Sequence, residues 1–404
     1  MQAIPLPSPR RWLAPLAIAA SALLVACGGG GSGSTDGGGT PTVSAQSYLT
    51  GRITGFGSVI VNGVRLDDSG ADIRDDDGTR RGSDDLRLGM VVEVKAGRID
   101  DSTSSGDASM IVVRSEIKGP IEALDAAAGT LTVLGQAVKT DAATVYEDVA
   151  GLGALAVGDL LEVYAVPASD GSLLATRIEK KTRLEHFKLR GTVSGLDTTA
   201  QTFRIGTALI SYAGLGTVTG LADGIVVKVK LATTPVDGAW VAVKLRGGAR
   251  EIEVEDHDET EVEGIVSGFV SLADFKVGGI PVDASSATVE FDDGTADSVK
   301  DGVRVEVEGQ VVNGVLIATK VKIEDENDDD GRDECEVELH GAIESVDPTA
   351  RTLVLRGVTV AWTDTTEFRD LTAEGLVVGA RIEVKATLAD NGTTVVAERI
   401  ELDD

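Results

Sequence analysis

The chain has 404 residues, a formal charge of −29 and only 3% aromatic residues. Its negative field opposes general binding to nucleic acid or anionic lipid. Two Cys exclude a disulfide-rich scaffold, and three His leave little room for a His-rich metal site or a Ser-His-Asp enzyme.

Residues 1–26 are expected to be an export signal. Arg10 and Arg11 form a basic start, and Trp12 to Val25 is an apolar run too short to span a membrane. The run ends in Leu24-Val25-Ala26-Cys27, which resembles the lipobox of bacterial lipoproteins. That resemblance implies cleavage before Cys27 and lipidation of Cys27. Gly28 in place of Asp implies sorting to the outer membrane, with the protein on its periplasmic face or at the cell surface. Cleavage removes two Arg and no acid, so the mature charge becomes −31. Residues 27–47 then form a Gly-rich tether with a mean reach of about 25 Å.

The rest of the chain is one pattern written five times. A first phrase begins at Gly51-Arg-Ile53, Gly119-Pro-Ile121, Gly191-Thr-Val193, Gly264-Ile-Val266 and Gly341-Ala-Ile343. A second phrase follows in each copy: Gly89-Met-Val-Val92-Glu93, Gly158-Asp-Leu-Leu161-Glu162, Gly224-Ile-Val-Val227-Lys228, Gly302-Val-Arg-Val305-Glu306 and Gly379-Ala-Arg-Ile382-Glu383. Val303 to Glu308 alternates apolar and charged residues, the period of a strand with one wet face. Asn62-Gly63, Asp237-Gly238 and Asn313-Gly314 mark hairpins. Asp148–Ala156 and Leu371–Leu376 suit short helical turns.

A lone sheet of some 70 residues exposes both edges, whereas a closed barrel has none. The expected fold is therefore all-β: a tandem array of about five small OB-like β-barrel modules after the signal and tether. The boundaries are 48–117 (module 1), 118–182 (module 2), 183–252 (module 3), 263–323 (module 4) and 336–404 (module 5). Residues 253–262 and 324–335 are expected to be acidic linkers. The repeated phrases, with Phe56-Gly-Ser-Val-Ile-Val-Asn-Gly-Val, resemble the bacterial family called domain of unknown function 5666. The likeness is clearest in modules 1, 4 and 5. It implies a small β-rich module in exported proteins, without an activity or catalytic residues.

Charge is unevenly spread. Residues 253–263 hold seven acids and residues 324–338 hold ten. Such runs repel themselves and are solvated. Glu326, Asp328 and Asp330, before Gly331, imitate the start of a calcium-binding loop, although Val337 stands where that loop needs Glu. Asp75 and Asp77 before Gly78 form a similar candidate. Calcium is the one cofactor the sequence suggests. Module 3 inverts the sign: residues 180–250 carry a net +7. Lys228, Lys230, Lys244 and Arg246 form one outer patch if the hairpin turns near Asp237-Gly238. This patch pairs with the acidic run at 253–263 or is a merely solvated face, or else it binds a polyanion, such as lipopolysaccharide, an acidic polysaccharide or extracellular DNA. Stacking on bases or sugars needs exposed aromatics, and Phe187, Phe203, Tyr212 and Trp240 suit the core equally.

No catalytic set recurs. Glu93, Glu162, Glu306 and Glu383 point away from the barrel interior by alternation and are expected to be solvated. The acidic neighbours of Cys335 disfavour a thiolate, so its expected chemistry is at most an intermolecular disulfide. The sequence thus points to a non-enzymatic, membrane-anchored envelope scaffold with modules strung like beads.

Overall fold

The structure is a computed structural model and describes residues 45–248, 250–324, 336–389 and 392–403. Cys27, the tether up to residue 44, Cys335 and the carboxylates Glu326, Asp328 and Asp330 lie outside the described residues. The tether expected to run to residue 47 ends earlier, because the first strand begins at Gln46 and Ser47 is buried. The chain is all-β, and the helical elements among the described residues are short 3₁₀ turns.

Module 1 shows the construction. Its five main strands are Gln46–Phe56, Val59–Val61, Val64–Asp67, Val91–Ala96 and Ser105–Arg114. The first three form an antiparallel meander. The third lies parallel to the fifth, the fifth antiparallel to the fourth, and the fourth antiparallel to the first. The order 1-2-3-5-4 thus returns to strand 1 and closes a barrel. The same ring closes in module 2, module 3 and module 4. In module 5 the first strand is split into Glu336–Ala342 and Ser345–Asp347, and the ring closes again. A 3₁₀ turn precedes each fourth strand. Two of these turns, Leu152–Ala154 and Ala373–Gly375, fall in the segments whose sequence suits helical turns.

Two glycines per module explain the recurring phrases. At the first-phrase glycine the strand passes under the hairpin of strands 2 and 3. A Cβ on Gly51 would sit 1.9 Å from Asn62 Oδ1, and one on Gly119 would sit 2.5 Å from Leu134 Cγ. The second-phrase glycine has φ between 76° and 94° in every module, a left-handed turn that side chains resist. Its N–H donates to the carbonyl of the third residue of the first phrase: Gly89 to Ile53, Gly158 to Ile121, Gly224 to Val193, Gly302 to Val266 and Gly379 to Ile343. The two phrases recur in one order because this bond ties them together.

The barrels do not stand apart. Their buried side chains merge into three clusters: modules 1 and 5 share one, modules 2 and 3 a second, and module 4 recruits Tyr48 and Val112 of module 1 into a third. Strand pairing also crosses module borders. Gln46–Leu49 runs parallel to Thr260–Glu263, Gly55–Phe56 parallel to Glu338–Leu339, and Ile117–Lys118 antiparallel to Leu189–Lys188. This corrects the expectation of beads on a string. It also corrects the linker at 253–262, because the first strand of module 4, His257–Ser271, begins inside it. Val262 there is fully buried, so alternation of Val with acid outweighs the charge of the run.

Candidate functional site: a charged face repeated on every barrel

Strands 1 and 4 present equivalent outer positions in each barrel, and the register pairs them. Thr50 faces Glu93, Lys118 faces Glu162, Arg190 faces Lys228, Glu263 faces Glu306 and His340 faces Glu383. The alternation that points these side chains out of their own barrel is the one read from sequence. Their solvation is not. Glu93 is 0% exposed, Glu162 8%, Lys228 5% and Glu263 5%. Out of one barrel means against the next, so much of the repeated face forms the joints of the assembly.

The module 1–3 joint is a buried ion network. Lys188 Nζ lies 2.7 Å from Asp76 Oδ2, and Lys228 Nζ lies 2.8 Å from Glu251 Oε1. Arg190 bonds Glu251 and approaches Asp76 to 3.8 Å. Arg114 bridges Glu93 Oε1 at 2.7 Å and Glu116 Oε1 at 3.1 Å. The other oxygen of Glu93 accepts the backbone N–H groups of Glu251 and Ile252 at 2.8 and 3.0 Å. Burial alone would raise the Asp76 carboxyl, but Lys188, Lys228 and Arg190 outweigh it and bring it down to about 2. Burial likewise opposes ionisation of Glu93, and Arg250, Arg114 and the Ile252 amide hold it below its ordinary value. Removing one partner from such a network leaves an uncompensated buried charge.

These placements revise the site residues drawn from sequence. Lys228 is buried in the network, and Lys230 pairs with Asp77 at 2.7 Å. The intramolecular partners of the basic module are therefore Asp76, Asp77 and Glu251, rather than the acidic run at 253–263. Lys244 faces Lys230 and Arg246 faces Lys228 across the hairpin, so the four cations do share one face. Only Lys244 and Arg246 remain half-exposed without an acidic partner among the described residues. Burial, with Arg246 and Lys230 nearby, lowers the Lys244 ammonium from its ordinary value. Phe187, Phe203 and Tyr212 are buried, and Phe187 packs edge-on against Trp240 at 5.5 Å. These aromatics are core, not a stacking platform.

The calcium candidate at Asp75 and Asp77 is engaged within the chain. Asp75 Oδ1 accepts the amides of Asp77 and Thr79, its other oxygen pairs with Arg81 at 3.1 Å, and Asp77 holds Lys230. A turn built from four carboxylates in six residues is thus a docking loop for cations of module 3. The signal missed in the sequence is the sign match between this acidic loop and the basic module.

Sequence reasoning also missed a cluster on module 5. His340 Nε2 lies 2.7 Å from Glu338 Oε1 and 3.9 Å from Glu383 Oε2, and its Nδ1 lies 3.7 Å from Asp403. The bond to Glu338 raises the imidazole above its ordinary value, against the cost of burial. Arg65 of module 1 reaches the same carboxylate at 2.5 Å, so a cation of the chain already occupies this group. A cleft between modules 1, 2 and 5, lined by Arg52, Leu88, Val145 and Val337, has about 20 Å³ of free volume, room for a water rather than an organic substrate.

Residues 118–179, 263–322 and 340–401 match a described family. The match is to the domain of unknown function DUF5666. The matched segments are modules 2, 4 and 5, so the likeness read most clearly in modules 1, 4 and 5 shifts from module 1 to module 2. Modules 1 and 3 lie outside the matched residues yet close the same ring as the DUF5666 segments. No curated protein matches the chain.

Proposed function

We propose that the protein is a non-enzymatic envelope lipoprotein, a compact multi-barrel scaffold held to the outer membrane through Cys27. The observation that carries the reading is the use made of the repeated charged positions. A catalytic module needs convergent polar groups facing a substrate-sized cleft. Here Glu93 is neutralised by Arg114 within module 1, Arg190 and Lys228 pair with Glu251 of their own module, and Lys188 reaches across to Asp76 of module 1. The lipobox-like start and Gly-rich tether supply the anchor. Among the described residues no helix is long and apolar enough to cross a membrane.

Expression with a radiolabelled fatty acid tests the anchor. The chain is expected to take up label and to sediment with outer membranes, and Cys27→Ser is expected to abolish both. An unlabelled wild-type chain would overturn the reading.

A second reading is favoured by one observation, the half-exposed Lys244 and Arg246 side by side on one hairpin strand of module 3, with no ion pair among the described residues. Lys244 and Arg246 suit an anionic glycan such as lipopolysaccharide. Lys244→Glu with Arg246→Glu is expected to abolish salt-sensitive retention on a polyanion column and to change stability by less than about 0.5 kcal/mol, as for exposed sites. Retention unaffected by the pair of substitutions excludes a polyanion site there.

A further inference from the structure

In module 4 the paired outer positions of strands 1 and 4 nearest module 1 are all acids, with Arg304 next along strand 4. Glu261 and Glu263 lie on the strand His257–Ser271, and Glu308 and Glu306 face them from Arg304–Val312. In module 3 the equivalent positions are Lys188, Arg190, Lys228 and Lys230, and an acidic loop covers them. No comparable basic loop covers module 4 among the described residues. Its first strand lies instead directly against module 1, with Glu261 beside Ser47 and Glu263 beside Leu49.

We propose that the joint between Gln46–Leu49 of module 1 and Thr260–Glu263 of module 4 is a pH-dependent latch, closed when Glu261 and Glu263 are protonated and loosened when they ionise. The geometry places the two carboxyls at the contact itself. Ser47 Oγ donates to Glu261 Oε2 at 3.2 Å, which is the polar bond made to Glu261 by module 1. Glu263 is nine-tenths buried.

The groups facing the pair come from every neighbouring element. Strand 4 supplies Arg304, Glu306 and Glu308, and strand 5 supplies Glu324, with Lys320 and Lys322 drawn away to Glu308 and Glu324 at 3.0 and 2.9 Å. Module 1 supplies Asp101 and Lys95, and Lys95 pairs with Glu255 at 3.2 Å. Burial, then Glu306, Asp101 and Glu308, raise Glu261 from 4.5 to about 7, although Ser47 opposes this. Burial raises Glu263 well above its ordinary value, with Arg304 opposing the rise and Glu324, Glu306 and Glu261 adding to it.

The sign follows from proton counting. The closed joint binds more protons than the open one between the ordinary Glu value near 4.5 and about 7. Raising the pH through that window therefore favours opening, and lowering it favours closure. Asp76 behaves oppositely, since its lowered carboxyl keeps the module 1–3 joint ionised throughout the window.

Hydrogen exchange on the full chain, corrected for the intrinsic pH dependence of exchange, tests the proposal. Segments 46–49 and 260–263 are expected to lose protection tenfold or more between pH 5.5 and 8.5. Segments 117–118 and 188–189, at the module 2–3 joint, are expected to stay constant. Glu261→Gln with Glu263→Gln, which mimics the protonated pair, is expected to hold the loss below twofold. If that double variant does not fold, Glu261→Gln alone is expected to cut the loss at least threefold. Protection that ignores pH in wild type, or a variant that loses it as wild type does, overturns the latch.

Discussion

Asp76→Ala is expected to destabilise the full chain by about 3–5 kcal/mol, read from the urea midpoint at pH 7. The reason is the position of Asp76, not its identity as a surface acid in an Asp-rich turn. Its side chain is buried and takes Lys188 at 2.7 Å, with Lys228 and Arg190 within 3.6 and 3.8 Å. Deleting the carboxylate strands Lys188 in a medium that penalises charge. Lys228 and Arg190 retain Glu251, so Lys188 suffers most. Adding Lys188→Met should then recover part of the loss, because a buried pair replaced by apolar groups is close to neutral. A turn of solvated acids would instead give a change within about 0.5 kcal/mol for Asp76→Ala and no recovery.

Tyr48→Ala should cost a similar amount, about 3–5 kcal/mol. Tyr48 belongs to module 1 by sequence but is fully buried in the cluster of module 4, among Val262, Phe275, Val305 and Val307. Lys95 and Arg250 each stand 5.9 Å from its ring centre, and its hydroxyl donates to Gln46. Hydrogen exchange across Arg304–Val312 and Val315–Glu324 checks the claim. Those strands of module 4 should lose protection in the variant. A loss confined to module 1 would show that the core of module 4 stands without its neighbour.

Much of the fold was legible because its causes are local. Alternation over Val303–Glu308, the glycines of both phrases and the Asn-Gly turns are each set by neighbouring residues. Five copies in one order then required five similar closed units. Strand order within the ring was not legible, since pairing of strand 3 with strand 5 joins residues far apart, such as Arg65 and Ser105. The joints were illegible for another reason. Alternation says whether Glu93 faces its own barrel, but not whether water or a second barrel lies beyond. Glu93 and Glu383 occupy the same position in their barrels, and one is fully buried while the other is half-buried. The same limit misassigned Lys228. Its surplus charge was visible as the net +7 of residues 180–250, but one compensating acid, Asp76, sits on a loop more than 100 residues earlier and the other, Glu251, lies just past that span.

The central claim is that the repeated charged face couples the barrels into one cooperative assembly. Scanning calorimetry of the mature chain, with and without Asp76→Ala, tests it most directly. A coupled assembly melts in one transition whose calorimetric and van't Hoff enthalpies agree, and Asp76→Ala lowers the midpoint of the whole transition. Several separate transitions, of which Asp76→Ala moves only one, would contradict it.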